Sequence, residues 1–192
     1  MGNDYYSDKI INLISGAIAK AIIPLALNSQ VVRRLSKTVL IIYFSKSGKT
    51  QKMADQIIKG AEVAGAYAIL KRVEDCTLED LIGVDGLVIG SPTYYSNIAW
   101  QIKKFLDETV LAFYAKGGSL RNKVCGCFTS TGAYNDGKEC LRTLELALGV
   151  ALKMKFVPGV ILESKDIDED NLSSCYDFGQ KIAKELADNT TF

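Results

Sequence analysis

The run Val39-Leu40-Ile41-Ile42-Tyr43-Phe44 drops straight into Ser45-Lys46-Ser47-Gly48-Lys49-Thr50, and Met53, Ala54, Ile57, Ile58 and Ala61 then recur at helical spacing. An unbroken apolar strand, a short hydroxyl-rich turn with one glycine, and an immediate helix leave few folds open. A strand this apolar is covered on both faces, as in a parallel sheet. The helix after it presents backbone N–H groups with no intrahelical acceptor, and its dipole puts about half a positive charge there. Ser45, Ser47 and Thr50 add hydroxyl donors, and Gly48 lets the backbone approach a ligand closely. The stretch reads as a phosphate cradle. An ordinary capped strand-to-helix turn is the plain alternative.

Two phosphate-binding patterns compete for it. Gly48-Lys49-Thr50 is the tail of a nucleotide-binding P-loop, whose leading glycine would fall at Tyr43. Such an enzyme also needs an acidic residue ending a later strand to help hold magnesium. The best candidate strand, Gly86-Leu87-Val88-Ile89-Gly90, ends in Ser91-Pro92. The P-loop reading fails on both counts. The pattern [ST]-x-[ST]-G-x-T, by contrast, is met in full by Ser45 to Thr50.

Composition narrows the chemistry further. The 192 residues contain no histidine, which excludes Ser-His-Asp and Cys-His catalysis, His-ligated zinc and a histidine general base. Five cysteines, odd in number and without a CxxC, point to a reducing, cytoplasmic compartment. A net charge of +1 argues against a nucleic-acid surface. Residues 1–37 hold five basic and two acidic groups, +3, so the remainder sums to −2.

That N-terminal portion, 1–36, reads as an appendage to a domain over 37–192. Ile10, Leu13, Ile14, Ala17, Ile18, Ala21, Ile22 and Leu25 share one face of a helix expected over 7–27, with Lys9, Asn12, Gly16 and Lys20 opposite. Pro24 ends or kinks it. The polar side and the interruptions at Asn12, Ser15 and Lys20 argue against a membrane span. Packing on its own domain or on a second subunit is the favoured reading, with membrane-surface contact as the alternative.

From Thr38 onward strand and helix alternate, which implies an α/β doubly wound parallel sheet. The expected strands are Val39–Phe44, Tyr67–Val73, Leu87–Gly90, Lys123–Phe128 and Lys155–Ile161. Helices are expected from Thr50 to about Gly65, from Ala99 to Leu111, over Lys138–Leu148 and over Leu172–Ala187, with a short one begun by Thr77-Leu78-Glu79-Asp80. The loops after strands one, three and four then share one edge. The second, Ser91-Pro92-Thr93-Tyr94-Tyr95-Ser96-Asn97, offers two aromatics for stacking on a planar ring, or only for covering the sheet edge. The third, Thr129-Ser130-Thr131-Gly132-Ala133-Tyr134-Asn135-Asp136-Gly137, offers backbone donors for polar ring edges, or is a plain connection. A phosphate at one end, a flat aromatic beside it and amide-type edges together describe FMN.

On these residues the chain resembles flavodoxin-fold FMN proteins, particularly NAD(P)H:quinone oxidoreductases of the tryptophan-repressor-binding-protein type. Ser45–Thr50 is similar to their phosphate loop, and Gly90-Ser91-Pro92-Thr93-Tyr94-Tyr95-Ser96-Asn97-Ile98-Ala99 to their G-[ST]-P-T-aromatic segment. Gln101 to Asp107 continues the match, and Phe113 to Gly132 is similar to the segment ending in their third flavin loop. The resemblance spans about Thr38 to Gly159 and implies a five-stranded sheet in the order 2-1-3-4-5. It also implies that Ser45, Lys46, Ser47, Gly48, Lys49 and Thr50 hold the phosphate. Pro92, Thr93, Tyr94, Tyr95, Ser96 and Asn97 would line the isoalloxazine, together with Ser130, Thr131, Gly132, Ala133, Tyr134 and Gly137. NAD(P)H as donor, a quinone or similar small acceptor and a homo-oligomer follow from the same resemblance. An electron carrier serving protein partners is the second reading, and a flavin-free binding or scaffold domain the third. The appendage and the missing histidine depart from the family pattern.

Cys125 and Cys127, alternating on an apolar strand, read as small core fillers, with a redox pair as the lesser alternative because a CxC on a regular strand spreads the sulfurs. Cys76, Cys140 and Cys175 read the same way. Trp100 could shield a ring edge, pack in the core or meet a second subunit. Lys49 could pair with phosphate or face solvent. Asp166, Asp168, Glu169 and Asp170 resemble a metal site only superficially and read instead as a solvated turn that offsets the dipole of the last helix.

Overall fold

The computed structural model describes residues 36–167 and 170–189. The helix expected over 7–27 and most of the link after it lie outside the described residues, as does part of the acidic cluster near 168. The remainder alternates as the apolar periodicity requires: β1 (Thr38–Tyr43), α1 (Lys49–Val63), β2 (Tyr67–Arg72), β3 (Gly86–Tyr94) and β4 (Asn97–Ile98). A continuous helix over 100–115, α2, contains one wide turn at Phe105–Val110. Then come β5 (Val124–Thr131), α3 (Tyr134–Glu145, prolonged by a wide turn at Leu146–Ala151), β6 (Lys155–Glu163) and α4 (Ser173–Asp188).

The main strands run parallel in the order β2-β1-β3-β5-β6, the doubly wound order expected, and β4 adds a short antiparallel pair to β3. Alternation along β1 divides the core. Val39, Ile41 and Tyr43 face Met53, Ala54 and Ile57 of α1 and Phe178 and Ile182 of α4. Leu40, Ile42 and Phe44 face the opposite layer, with Ile102, Phe105 and Phe113 of α2 and Cys140, Leu144 and Leu148 of α3. All five cysteines are free and buried, in keeping with their role as core fillers. Each fully buried Leu or Ile contributes about 1.5–3 kcal/mol relative to an exposed one.

Two expected loops are mostly regular structure. β3 continues through Ser91-Pro92-Thr93-Tyr94 and turns back into β4, so the second turn is a tight hairpin. Pro92 is tolerated there for a geometric reason. The Gly90 carbonyl accepts Phe44 N–H at 3.1 Å and so faces β1. Alternation aims the Pro92 nitrogen to the same side, where β1 has already ended. β5 likewise runs to Thr131 and α3 starts at Tyr134, four residues before the expected Lys138, leaving Gly132-Ala133 as the connection. The short helix expected near Thr77 reduces to a 3-10 turn, Glu79–Leu81.

Candidate functional site

Register places the three turns on one rim. Tyr43 pairs with Gly90, Gly90 with Phe128, Ser91 with Thr129 and Pro92 with Ser130, so β1, β3 and β5 end side by side. In a sheet whose order reverses between β1 and β3, that carboxyl edge is where ligands bind.

The first turn begins with Ser45, whose Oγ is buried and has no hydrogen-bond partner. Lys46 and Ser47 project outward, Gly48 and Lys49 are half-buried, and Thr50 is buried. Gly48 caps α1 with φ of 84°, the left-handed region glycine reaches without strain, and nothing lies within 4 Å of where its Cβ would be. No side chain caps this helix, and its first turn holds no acid. A 15-residue helix with an uncapped N-terminus, an orphaned buried hydroxyl and open room beside a glycine makes an anion cradle. Those features fit a phosphate.

The third turn is tied to the first and the second by hydroxyls. Thr50 Oγ1 and Ser130 Oγ share a buried 2.8 Å hydrogen bond. The Thr129 hydroxyl donates to the Ser91 carbonyl at 2.6 Å and lies 2.8 Å from the Thr93 hydroxyl. Ser91 Oγ accepts from Ala99 N–H at 2.9 Å, which fixes the approach to α2. The Thr131 hydroxyl donates to the Ala133 carbonyl at 2.7 Å, closing the Gly132-Ala133 bend.

The hairpin tip carries the aromatics. Tyr95 and Ser96 have φ of 50° and 58°, both left-handed, which is the geometry of a type I′ turn. Tyr95 is fully exposed and Tyr94 partly so. Ser96 donates to Asp136 Oδ1 at 2.7 Å, locking the tip to the first turn of α3 beside Tyr134 and exposed Gly132 and Ala133. Asn97 is exposed, and its Oδ1 accepts the neighbouring Ile98 N–H at 2.8 Å. Gly137 is buried one turn into α3, where a Cβ would meet Ile161 and Thr131. It serves the packing of α3 on the sheet. Trp100 stands 67% exposed at the start of α2, so core packing is not its role.

Sequence reasoning missed Arg72. At the end of β2 it donates to the Ser45 carbonyl at 3.4 Å and to Glu74 at 3.1 Å, with its guanidinium 5.9 Å from the Tyr43 ring centre. Burial raises the Tyr43 phenol pKa, and the Arg72 charge offsets this only in part. No spacing rule links β2 to a turn 27 residues earlier; only the parallel pairing of Tyr43 with Arg72 does. A cavity of about 220 Å³ lies between Val73-Glu74 and α2, lined also by Cys76, Trp100 and Phe105, and no residue of the three turns lines it.

Comparison with known proteins agrees with this geometry. Residues 71–167, half of the chain, match the family described as NADPH-dependent FMN reductase. A flavodoxin from Aquifex aeolicus is 28% identical over 78% of this chain and 86% of its own length. "NAD(P)H dehydrogenase (quinone) 3" from Rhizobium meliloti is 35% identical over 53% of this chain. The match covers 56% of that relative, so the chain spans about half its length. Among solved structures, the "flavodoxin, WrbA-like protein" from Agrobacterium tumefaciens superposes with a TM-score of 0.68 at 26% identity, over 81% of this chain and all of that one. A parallel sheet in doubly wound order, a hydroxyl-lined rim and a family match that begins one residue before Arg72 and takes in the second and third turns have one reading: the chain belongs to the NADPH-dependent FMN reductase family.

Proposed function

We propose that this chain binds FMN across the three turns and passes electrons from NAD(P)H to a quinone or similar small acceptor. Family membership makes it a flavodoxin-fold oxidoreductase that works with FMN and NAD(P)H. The quinone is taken from the relatives' names and is part of the proposal. One observation carries the cofactor's position: the orphaned, buried Ser45 hydroxyl at the uncapped start of α1.

FMN, when bound, would supply the two-electron redox chemistry that links a nicotinamide donor to the acceptor. The residues do the rest. Ser45, Ser47 and Thr50 donate hydroxyl hydrogen bonds to the phosphate, the N–H groups after Gly48 add the helix field, and Lys46 and Lys49 contribute charge. Tyr94 and Tyr95 on the hairpin cover the ring, with Pro92, Thr93, Ser96 and Asn97 shaping its bed. Ser130 and Thr131 hold the third turn, so that Gly132, Ala133 and Tyr134 present backbone groups and a ring edge. Gly137 lets α3 sit close beneath them. No side-chain acid or base is needed for hydride transfer to a flavin, in accord with a chain that has no histidine.

On the same reading the protein works in the cytoplasm and forms a homo-oligomer. Among the described residues, no helix is long and apolar enough to cross a membrane.

A second reading is an electron carrier serving protein partners, favoured by the flavodoxin relative, whose match covers more of this chain than the quinone dehydrogenases do. The visible spectrum of the purified protein, followed during titration with NADH, NADPH and a quinone, separates the two. Bleaching by a nicotinamide and recovery with the quinone at catalytic rates supports the enzyme. Stoichiometric reduction with negligible quinone turnover supports the carrier, and a protein that stays colourless after FMN is added refutes both.

A further inference from the structure

Arg72 is held by three contacts that converge beside the phosphate turn. Its Nη2 donates to the Ser45 carbonyl at 3.4 Å and to Glu74 Oε1 at 3.1 Å, and its guanidinium lies over the Tyr43 ring. The Ser45 residue it grips is the one whose own hydroxyl is buried without a partner. A half-exposed cation therefore touches the backbone of the residue that opens the anion cradle. Beside it sits one carboxylate, Glu74, in a half-exposed ion pair.

A phosphate monoester on flavin carries close to two negative charges at neutral pH. Such an anion is drawn toward Arg72 and repelled by Glu74, and at the distance of a neighbouring turn the two effects largely cancel. The pair is then a trim on phosphate affinity. The guanidinium fork has donors to spare, so loss of Glu74 leaves the bond to Ser45 available.

We propose that Arg72 is a positioning residue for the phosphate of FMN, holding the Ser45 turn and lending it charge, while Glu74 acts against it as a competing counter-ion. This rests on the reading of the 45–50 turn as the phosphate site. It goes further in assigning opposite signs to two residues that a sequence reading leaves out.

The test is flavin affinity of the apoprotein, prepared by removing bound flavin and titrated with FMN or riboflavin at low and high salt, read by quenching of flavin fluorescence. Riboflavin lacks the phosphate and serves as the internal control. Arg72→Gln is expected to weaken FMN about tenfold, the size of one charge-assisted contact, to leave riboflavin unchanged and to flatten the salt dependence. Glu74→Gln is expected to tighten FMN several-fold, again without effect on riboflavin. Arg72→Lys, which keeps the charge and loses the fork, retains most of the preference for FMN over riboflavin. It provides the reading should Arg72→Gln fold poorly. Equal losses for both flavins in the Arg72 variants, or weaker FMN binding in Glu74→Gln, would mean a purely structural brace and overturns the proposal. A wild-type protein that binds riboflavin and FMN equally well overturns it too. Wild-type protein that binds neither flavin removes the phosphate-site reading itself, and the assignment of Arg72 with it.

Discussion

The hydroxyls of Thr50 and Ser130, eighty residues apart in sequence, share a buried 2.8 Å hydrogen bond at the sheet's carboxyl edge. It joins the first turn of α1, the proposed phosphate site, to the end of β5, so the first and third turns are one mechanical unit. Both residues are almost wholly buried, and neither hydroxyl can be lost without leaving the other unpaired. Thr50→Val and Ser130→Ala are each expected to cost about 1–3 kcal/mol in denaturant unfolding. The double variant should cost less than the sum, by about 0.5 kcal/mol or more, because the second change removes the orphan left by the first. Additive losses would show that the bond couples nothing. Both single variants should also weaken FMN binding.

The hairpin tip trades stability for shape. Tyr95 has φ of 50° and a fully exposed side chain, so nothing in the fold repays its left-handed backbone. Asparagine tolerates that region better and favours the first position of a type I′ turn. Tyr95→Asn is therefore expected to raise the thermal midpoint, by the equivalent of about 0.5–1 kcal/mol, and at the same time to weaken FMN binding. If the variant gains stability and keeps its flavin affinity, Tyr95 does not cover the ring.

The same hairpin shows where sequence reasoning stopped. The type I′ signal is Asn-Gly or Asp-Gly, and Tyr95-Ser96 carries neither, so the segment reads as an open loop. Thr129-Ser130-Thr131 reads as a polar connection, yet threonine is a good strand former and each hydroxyl finds a partner inside the rim. The alternation of strands and helices and the meeting of three turns were legible, because apolar runs and glycine-punctuated turns repeat along the chain, whereas the strand order followed from the family resemblance alone. Arg72 was not legible, since its role depends on a pairing between strands. Helix-to-helix closeness, at Gly60 and Gly179, was equally hidden.

Those two glycines set the packing of α1 on α4. A Cβ on Gly179 would run into the carbonyl oxygen of Ile57, and one on Gly60 into that of Tyr176. The obstacle in both cases is backbone, which cannot rotate away. Gly179→Ala gains about 1 kcal/mol in helix propensity, but overpacking costs about 1–3 kcal/mol, occasionally more. The net expectation is destabilisation, read as a lower urea midpoint. Lys59→Ala, on the exposed side of α1, should stay within about 0.5 kcal/mol of the parent. A neutral or stabilising Gly179→Ala would show that the helices have room to separate.

The cysteines give a pH dependence with a definite sign. Burial pushes the thiols of Cys76, Cys125 and Cys175 up from 9.0 to about 12. Cys127 and Cys140 are raised as well, again first through burial. In the unfolded chain these groups ionise near their ordinary value, while the folded protein still holds their protons. Below that value both states are protonated and the thiols make stability independent of pH. Between about 9 and about 12 the unfolded state binds fewer protons, so stability falls as pH rises. The thermal midpoint should therefore decline steadily through that window. Replacing Cys175 with alanine should lower stability at neutral pH and make the decline shallower. At pH 8 the native protein should react with a chromogenic disulfide reagent at far fewer than its five thiols, and at all five once unfolded. Prompt labelling of even two thiols in the folded protein would contradict the burial of these side chains and the pH dependence argued from it.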